Sequence, residues 1–234
     1  MRLPEPATRA AAWAGAALFA LSITCFLYTY AVTFAARQNG SLSPVDVTVN
    51  VLLFAAFAFH HSLFARLPVR AWVARTVPPQ YERTLYVAIA SALLIAVCLG
   101  WRVLPGTLWN VTGMNRWLMH GLQVGGVVLT VWSARALGVR TLAGLAPETA
   151  SSREADLSTS GPYRFVRHPI YAGWLLITFA MPLMTMTRFV FAVVAAVYLV
   201  AAIPLEERTL RRTSPDRFRR YASRVRWRLV PGVY

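Results

Sequence analysis

Residues 161–173 read Gly-Pro-Tyr-Arg-Phe-Val-Arg-His-Pro-Ile-Tyr-Ala-Gly and open a long apolar run. Glu206-Glu207-Arg208 closes the next apolar run. An Arg/His/Tyr group facing a pair of carboxylates can bind a small polar molecule. Pro169 suits the first position of a helix, which makes His168 its N-cap. The free backbone N–H groups at such a helix start favour an anion such as a carboxylate, and Arg164 and Arg167 flank the same spot. Glu206 and Glu207 sit at the unfavourable end of a helix dipole, so they need partners. One can pair with Arg167, Arg208 or Arg211, leaving the other to accept hydrogen bonds from a ligand hydroxyl or amine. A plainer reading stays open: the arginines pair with lipid phosphate, His168 only caps, and the glutamates make a structural salt bridge.

These groups need elements that bring them together. The chain has 234 residues, 57% of them hydrophobic, and a mean hydropathy of +0.49. That composition points to the membrane. Charge-free windows cover 10–36, 47–65, 84–101, 117–134, 168–187 and 189–205. Each is near the roughly 20 residues a spanning helix needs. The expected fold is all-α: a polytopic transmembrane bundle of about six helices, or five if one is re-entrant, in a single domain over 1–234. The last two windows are joined only around Thr187-Arg188, so they form a tight hairpin. His168 and Glu207 lie nearly equidistant from that turn. At about 1.5 Å per helical residue, both clusters end at one membrane depth.

The formal charge of +15 does not imply nucleic acid. All 24 basic residues are Arg, a skew that genomic base composition explains. With six helices and the N-terminus inside, 20 arginines fall on the inner side and four on the outer side. That asymmetry puts both termini in the cytoplasm, with the basic tail against anionic lipid. Phe218, Tyr221, Val225 and Leu229 recur at helical spacing, predicting a C-terminal amphipathic helix on the inner surface. The largest inner loop, 135–167, carries Glu148, Glu154 and Asp156.

His60-His61 lies near the inner end of the second apolar run, six residues before Arg66, and His120 near the outer end of the fourth. Their depths differ by roughly 15 Å in a core of about 30 Å, which excludes a haem held between them. Histidines inside such helices are functional candidates, here on a substrate side. Cys25 and Cys98 fall in apolar segments and form no metal or disulfide motif. No metal site, Gly-rich nucleotide loop or Ser/His/Asp set is evident.

Gly161, Pro162, Tyr163, Arg167, His168, Pro169, Tyr171 and Gly173, followed by Glu206, Glu207, Leu210 and Tyr221, resemble the isoprenylcysteine carboxyl methyltransferase superfamily of integral membrane methyltransferases. The segment 60–66, then Pro78-Pro79, Glu82 to Val87 and Pro182 to Thr185, is similar to the methanethiol S-methyltransferase and NnrU-like branch. Two departures stand out: Phe218 replaces an expected Tyr, and Arg226 stands where Pro is common. The resemblance implies S-adenosylmethionine as methyl donor, bound by the part of the chain around 158–234. It implies that Arg167, His168 and the helix start after Pro169 hold the donor's carboxylate, with Arg164 and Gly173 in the same set. Glu206 or Glu207 would take its ribose hydroxyls or amine, and Tyr163, Tyr171 and Tyr221 would wall the pocket. Arg167, Glu207 and His61 are the implied catalytic positions. The acceptor is a small thiol such as methanethiol, or a lipid-like or prenylcysteine carboxylate. The alternatives are a non-enzymatic NnrU-like membrane protein and a membrane reductase related to sterol reductases.

Overall fold

The computed structural model describes residues 6–64, 69, 72–73, 75–145 and 157–234. Arg66, Glu148, Glu154 and Asp156 lie outside the described residues. The chain divides into two compact units. One comprises Met1–Ala36, Leu42–Val103 and Arg140–Glu148; the other comprises Arg37–Ser41, Leu104–Val139 and Thr149–Tyr234.

The first unit is built from α1 (Pro6–Ala31), α2 (Pro44–Phe64) and α3 (Pro79–Gly100). Gly15 permits the close approach of α1 to α3, because a Cβ there would lie 2.9 Å from the Thr84 Cγ2 methyl. Phe26, Tyr30, Phe34 and Trp101 form a chain of buried ring contacts at the far end of the same pair. Asn50, fully buried on α2, donates to the Arg102 carbonyl at 2.9 Å and accepts from the Arg102 amide at 2.8 Å. That exchange satisfies the chain as it leaves α3, where helix carbonyls lose their partners.

The second unit holds β1 (Thr107–Asn110), α4 (Met114–Leu137), α6 (Pro169–Phe179), β2 (Leu183–Thr185), α7 (Met186–Thr213) and α8 (Pro215–Arg224). A short helix α5 (Val139–Leu142) follows α4 in the chain. Gly126 and Gly173 make the α4–α6 contact close. A Cβ on Gly173 would sit 2.3 Å from Thr130 Oγ1 and 2.7 Å from the Gly126 carbonyl. The strands pair antiparallel, Trp109 opposite Met184 and Asn110 opposite Leu183. This ribbon was not expected from the sequence. Its segments are too short to announce themselves, and it gives loop backbone groups hydrogen-bond partners.

The helices differ from the expected six spans. Four segments among the described residues are long and apolar enough to cross a membrane: Pro6–Ala35, Pro44–Phe64, Gln80–Gly100 and Met186–Thr213. Helix α4 has the length, 24 residues, but is not among these four. Helix α6 has only 11 residues, about 16 Å against a core of about 30 Å. The 168–187 window is therefore helical only in part. Its turn falls at 180–185, just before the expected Thr187-Arg188, because Thr185 caps α7 by accepting from the Arg188 amide at 3.2 Å. His168 and the glutamates still meet. Extended residues advance about twice as far as helical ones, which offsets the shorter helix.

The C-terminal helix α8 also differs. It ends at Arg224, before Val225 and Leu229. Phe218 and Tyr221 pack with Leu157, Tyr163 and Val225 in a buried cluster. The apolar face predicted to meet lipid is instead taken up by the protein's own side chains. The helical spacing reports only that a face is apolar, not what covers it.

Candidate active site

Glu207 is the centre of the second unit's polar cluster, with a side chain only 2% exposed. It sits three residues beyond Pro204, within the last turns of α7. Arg167 Nη1 lies 2.7 Å from its Oε1, and Arg228 reaches both carboxylate oxygens, Nε to Oε1 at 3.2 Å and Nη2 to Oε2 at 3.1 Å. Arg211, one turn on, adds a contact at 3.6 Å. A carboxylate this buried is stable only when its lone pairs are met by charge and hydrogen bonds, and Glu207 meets both conditions.

Glu206 is placed differently. Its side chain is 47% exposed, it accepts a hydrogen bond from the Tyr171 hydroxyl, and its Oε2 lies 3.4 Å from His168 Nδ1. The two adjacent acids thus divide: one is enclosed by arginines, the other faces outward.

His168 joins them. It is the N-cap of α6, as expected, but its side chain makes no cap hydrogen bond. The ring turns to the glutamates, Nε2 lying 3.6 Å from Glu207 Oε1, and stacks on Tyr171 with centroids 5.5 Å apart. Burial by itself lowers the imidazolium pKa. Hydrogen bonds and charge from Glu206 and Glu207 outweigh it, so the pKa is raised above the ordinary histidine value.

The tail fastens this arrangement. The Arg167 amide donates to the Trp227 carbonyl and the His168 amide to the Arg228 carbonyl, both at 2.9 Å. Arg167 Nη2 donates to the Arg226 carbonyl at 2.9 Å. Arg228 lies over the Tyr234 ring at 5.1 Å and donates to its hydroxyl at 3.2 Å. Arg228 was missed by the sequence reading. Nothing in its spacing marks it among nine tail arginines, and only the return of the tail brings it to Glu207. Arg226, noted for replacing a Pro, contributes only its carbonyl here.

Of the residues expected at the site, Arg167, His168, Pro169, Tyr171, Glu206 and Glu207 come together. Tyr163 and Tyr221 lie behind them in the buried cluster, where the Tyr221 hydroxyl donates to the Tyr163 carbonyl at 2.8 Å. Burial raises the pKa of both phenols. Gly173 faces α4 through the close contact described above. Arg164 is exposed on the turn before α6 and takes no part in the cluster's ion pairs. His61 belongs to the first unit, where its Nδ1 lies 3.0 Å from the Tyr86 hydroxyl and its ring stacks on Phe57.

Among the described residues, Arg167 Nε and His168 Nε2 are buried with no hydrogen-bond partner. Three guanidiniums surround two carboxylates, so the cluster carries a surplus of positive charge whichever form the His168 ring takes. Two nitrogens without a hydrogen bond, one of them with only the long contact to Glu207, suit an incoming carboxylate in such a surplus.

The comparisons with known proteins bear on the same stretch. The phospholipid methyltransferase family model matches residues 114–215. Methanethiol S-methyltransferase 2 of Bradyrhizobium diazoefficiens is 31% identical over 193 residues, covering 80% of this chain and 74% of that protein. The methanethiol S-methyltransferase of Crocosphaera subtropica is 31% identical over 191 residues, covering 79% and 74%. That of Mycobacterium tuberculosis is 32% identical over 186 residues, covering 76% of each chain. No solved structure matches. The chain belongs to the family of membrane methyltransferases that includes the methanethiol S-methyltransferases.

Proposed function

We propose that this protein transfers a methyl group from S-adenosylmethionine to a small thiol of the methanethiol type, at the cytoplasmic face of a bacterial inner membrane. The observation that carries the donor assignment is the pair of buried nitrogens, Arg167 Nε and His168 Nε2, that make no hydrogen bond within a positively charged cluster. They fit the carboxylate of an amino-acid end. Bound there, S-adenosylmethionine would supply a sulfonium methyl group, whose carbon would bond to an acceptor sulfur as the departing thioether keeps the pair of the broken bond.

The chain's own residues divide the work. Arg167 and His168 hold the donor carboxylate, with the first turn of α6 after Pro169 adding backbone N–H groups. Glu206, exposed and already oriented by Tyr171 and His168, accepts from the donor's amine or hydroxyls. Glu207 is enclosed by Arg167, Arg228 and Arg211, so it aligns the guanidiniums rather than touching the ligand. Tyr171 walls the site, and Tyr163 and Tyr221 support it from behind. Catalysis rests on positioning and electrostatics, since a thiolate needs no further activation once formed. The acceptor assignment is supported by the relatives' names and by the His60-His61 segment. The orientation is supported by the nine arginines of 208–228 that follow the apolar part of α7, against the single Arg188 at its start.

The test is calorimetric titration of the purified protein with S-adenosylmethionine, then headspace analysis after adding methanethiol. Heat of binding and volatile dimethyl sulfide are expected. Methylation of a farnesylated cysteine analogue without dimethyl sulfide would move the protein to a lipid-like acceptor. Absence of donor binding would remove the enzymatic reading.

A further inference from the structure

Arg167 is held at both terminal nitrogens of its guanidinium. Nη1 meets Glu207 Oε1 at 2.7 Å, and Nη2 donates to the Arg226 carbonyl at 2.9 Å. Nε is buried and makes no hydrogen bond. The direction in which Nε points is therefore set by the Glu207 carboxylate and the tail backbone. Among the described residues around Glu207, Arg228 engages both carboxylate oxygens by hydrogen bonds, at 3.2 and 3.1 Å. Arg211 makes one 3.6 Å contact from a largely exposed side chain. A two-point contact fixes the rotation of a carboxylate, which a single contact does not. Arg228 is held in turn by Tyr234. Its guanidinium lies over the Tyr234 ring, 5.1 Å from the centroid, and Nη1 donates to the hydroxyl at 3.2 Å. The local sequence brings Tyr234 there. Val230-Pro231-Gly232-Val233 makes a turn closed by the Val233 amide on the Val230 carbonyl at 3.1 Å, with Gly232 at φ +85° where a type II turn requires positive φ. The Tyr234 main-chain oxygen then accepts from the amides of Arg228, Leu229 and Val230 at 2.9, 2.8 and 3.2 Å. Tyr234 is 36% exposed, so its ring adds little to a core.

We propose that Tyr234 is a positioning residue of the donor site, acting through Arg228 and Glu207 on the Arg167 guanidinium that receives the donor's carboxylate. The inference rests on the donor reading above and deepens it. Every link lies within the second unit. The Tyr234 ring holds the Arg228 guanidinium by cation–π attraction and one hydrogen bond, in the orientation that meets both Glu207 oxygens. Arg228 thereby fixes Oε1 where Arg167 Nη1 meets it. Arginine is required at 228, because the point charge of a lysine neither bridges two carboxylate oxygens nor stacks as a plane on a ring. A side chain outside the cluster's ion pairs thus governs how tightly the donor is held. Closure of the tail does not depend on that side chain, since the three amides bond the Tyr234 main-chain oxygen. The ring can be altered while the loop keeps its hydrogen bonds.

The experiment titrates the full-length protein with S-adenosylmethionine by calorimetry, with thermal unfolding to show that each variant is folded. It compares wild type with Tyr234→Leu, Tyr234→Phe, Arg228→Gln and the double variant Tyr234→Leu/Arg228→Gln. Leu keeps apolar bulk and lacks a π face; Phe keeps the π face and lacks the hydroxyl. Tyr234→Leu is expected to weaken donor binding roughly three- to tenfold, with Tyr234→Phe recovering most of the loss. In the Arg228→Gln background, Tyr234→Leu should change the affinity by less than about twofold, because the residue it acts through is gone. Donor binding by Tyr234→Leu that matches wild type overturns the proposal. So does a loss of equal size in both backgrounds, which would make Tyr234 a support of the fold rather than of Arg228. Equal losses for Leu and Phe overturn it as well, since the ring face would then do nothing. If Arg228→Gln does not fold or binds too weakly to titrate, Arg228→Lys takes its place in the cycle with the same expected outcomes. If wild type shows no donor binding, the donor reading itself fails; donor binding that is insensitive to Tyr234 sinks this inference alone.

Discussion

Glu207 in the second unit and His60 in the first are both buried, both ionisable and both near the end of a long apolar helix. Their surroundings are opposite. Glu207 is met by Arg167, Arg228 and Arg211, which together engage both its oxygens. His60 is met by aromatic faces, with both nitrogens unpaired. A buried charge with several partners is part of the framework, and removing it strands the partners. A buried polar group without partners adds no hydrogen bond to the framework, so replacing it strands nothing. Glu206, beside Glu207 in the chain, shows that the distinction lies in surroundings rather than residue type: it is half exposed and oriented outward.

The largest effect expected from this contrast is at Glu207. Glu207→Ala leaves three guanidiniums facing one another and should cost about 3–5 kcal/mol of stability. Donor binding should be lost with it. Thermal unfolding in detergent and calorimetry check both, and an unchanged Tm would break the comparison. His60→Phe is the matched opposite: it keeps the ring stacking, removes two nitrogens without a hydrogen bond, and should leave Tm unchanged or raised.

A smaller effect sharpens the contrast within α2. Asn50→Leu removes the partner of both the Arg102 amide and carbonyl and should cost about 1–3 kcal/mol. Equal Tm changes for Asn50→Leu and His60→Phe would mean that hydrogen-bond satisfaction does not separate the two positions.

The smallest effect is a pH dependence at His168. Its folded-state pKa is raised by Glu206 and Glu207 against the opposing effect of burial. Its stabilising contribution is therefore complete below the ordinary histidine pKa of about 6.5 and fades as pH rises through the raised folded-state value. The Tm gap between wild type and His168→Asn should narrow as pH increases over that interval. A gap that stays constant would mean the ring acts without its charge.

Much of the site was legible because its signals are local. Pro after His168 marks a helix start, and two acids closing an apolar run in a basic chain demand partners. Apolar run lengths announced an all-helical membrane chain, and the counting argument brought His168 and Glu207 together although α6 proved shorter than assumed. Four features were not legible. The division of labour between Glu206 and Glu207 depends on which carboxylate the tail covers. Arg228 reaches the cluster only because the chain turns back after α8, where its carbonyl accepts from the His168 amide. Gly173 serves a helix contact whose other half, Gly126, lies far away in sequence. The apolar face of α8 is covered by Leu157 and Tyr163 rather than lipid.

The sequence by itself determined the all-helical membrane class, the local grouping of Arg, His, Tyr and Glu, and the resemblance that the relatives bear out. Those properties follow from composition, spacing and short-range backbone preferences. The tertiary structure alone decided which polar groups are satisfied. Hydrogen-bond partnership at Glu207, Asn50 and His60 depends on backbone and side chains brought from distant parts of the chain, and no local pattern records whether a partner arrives.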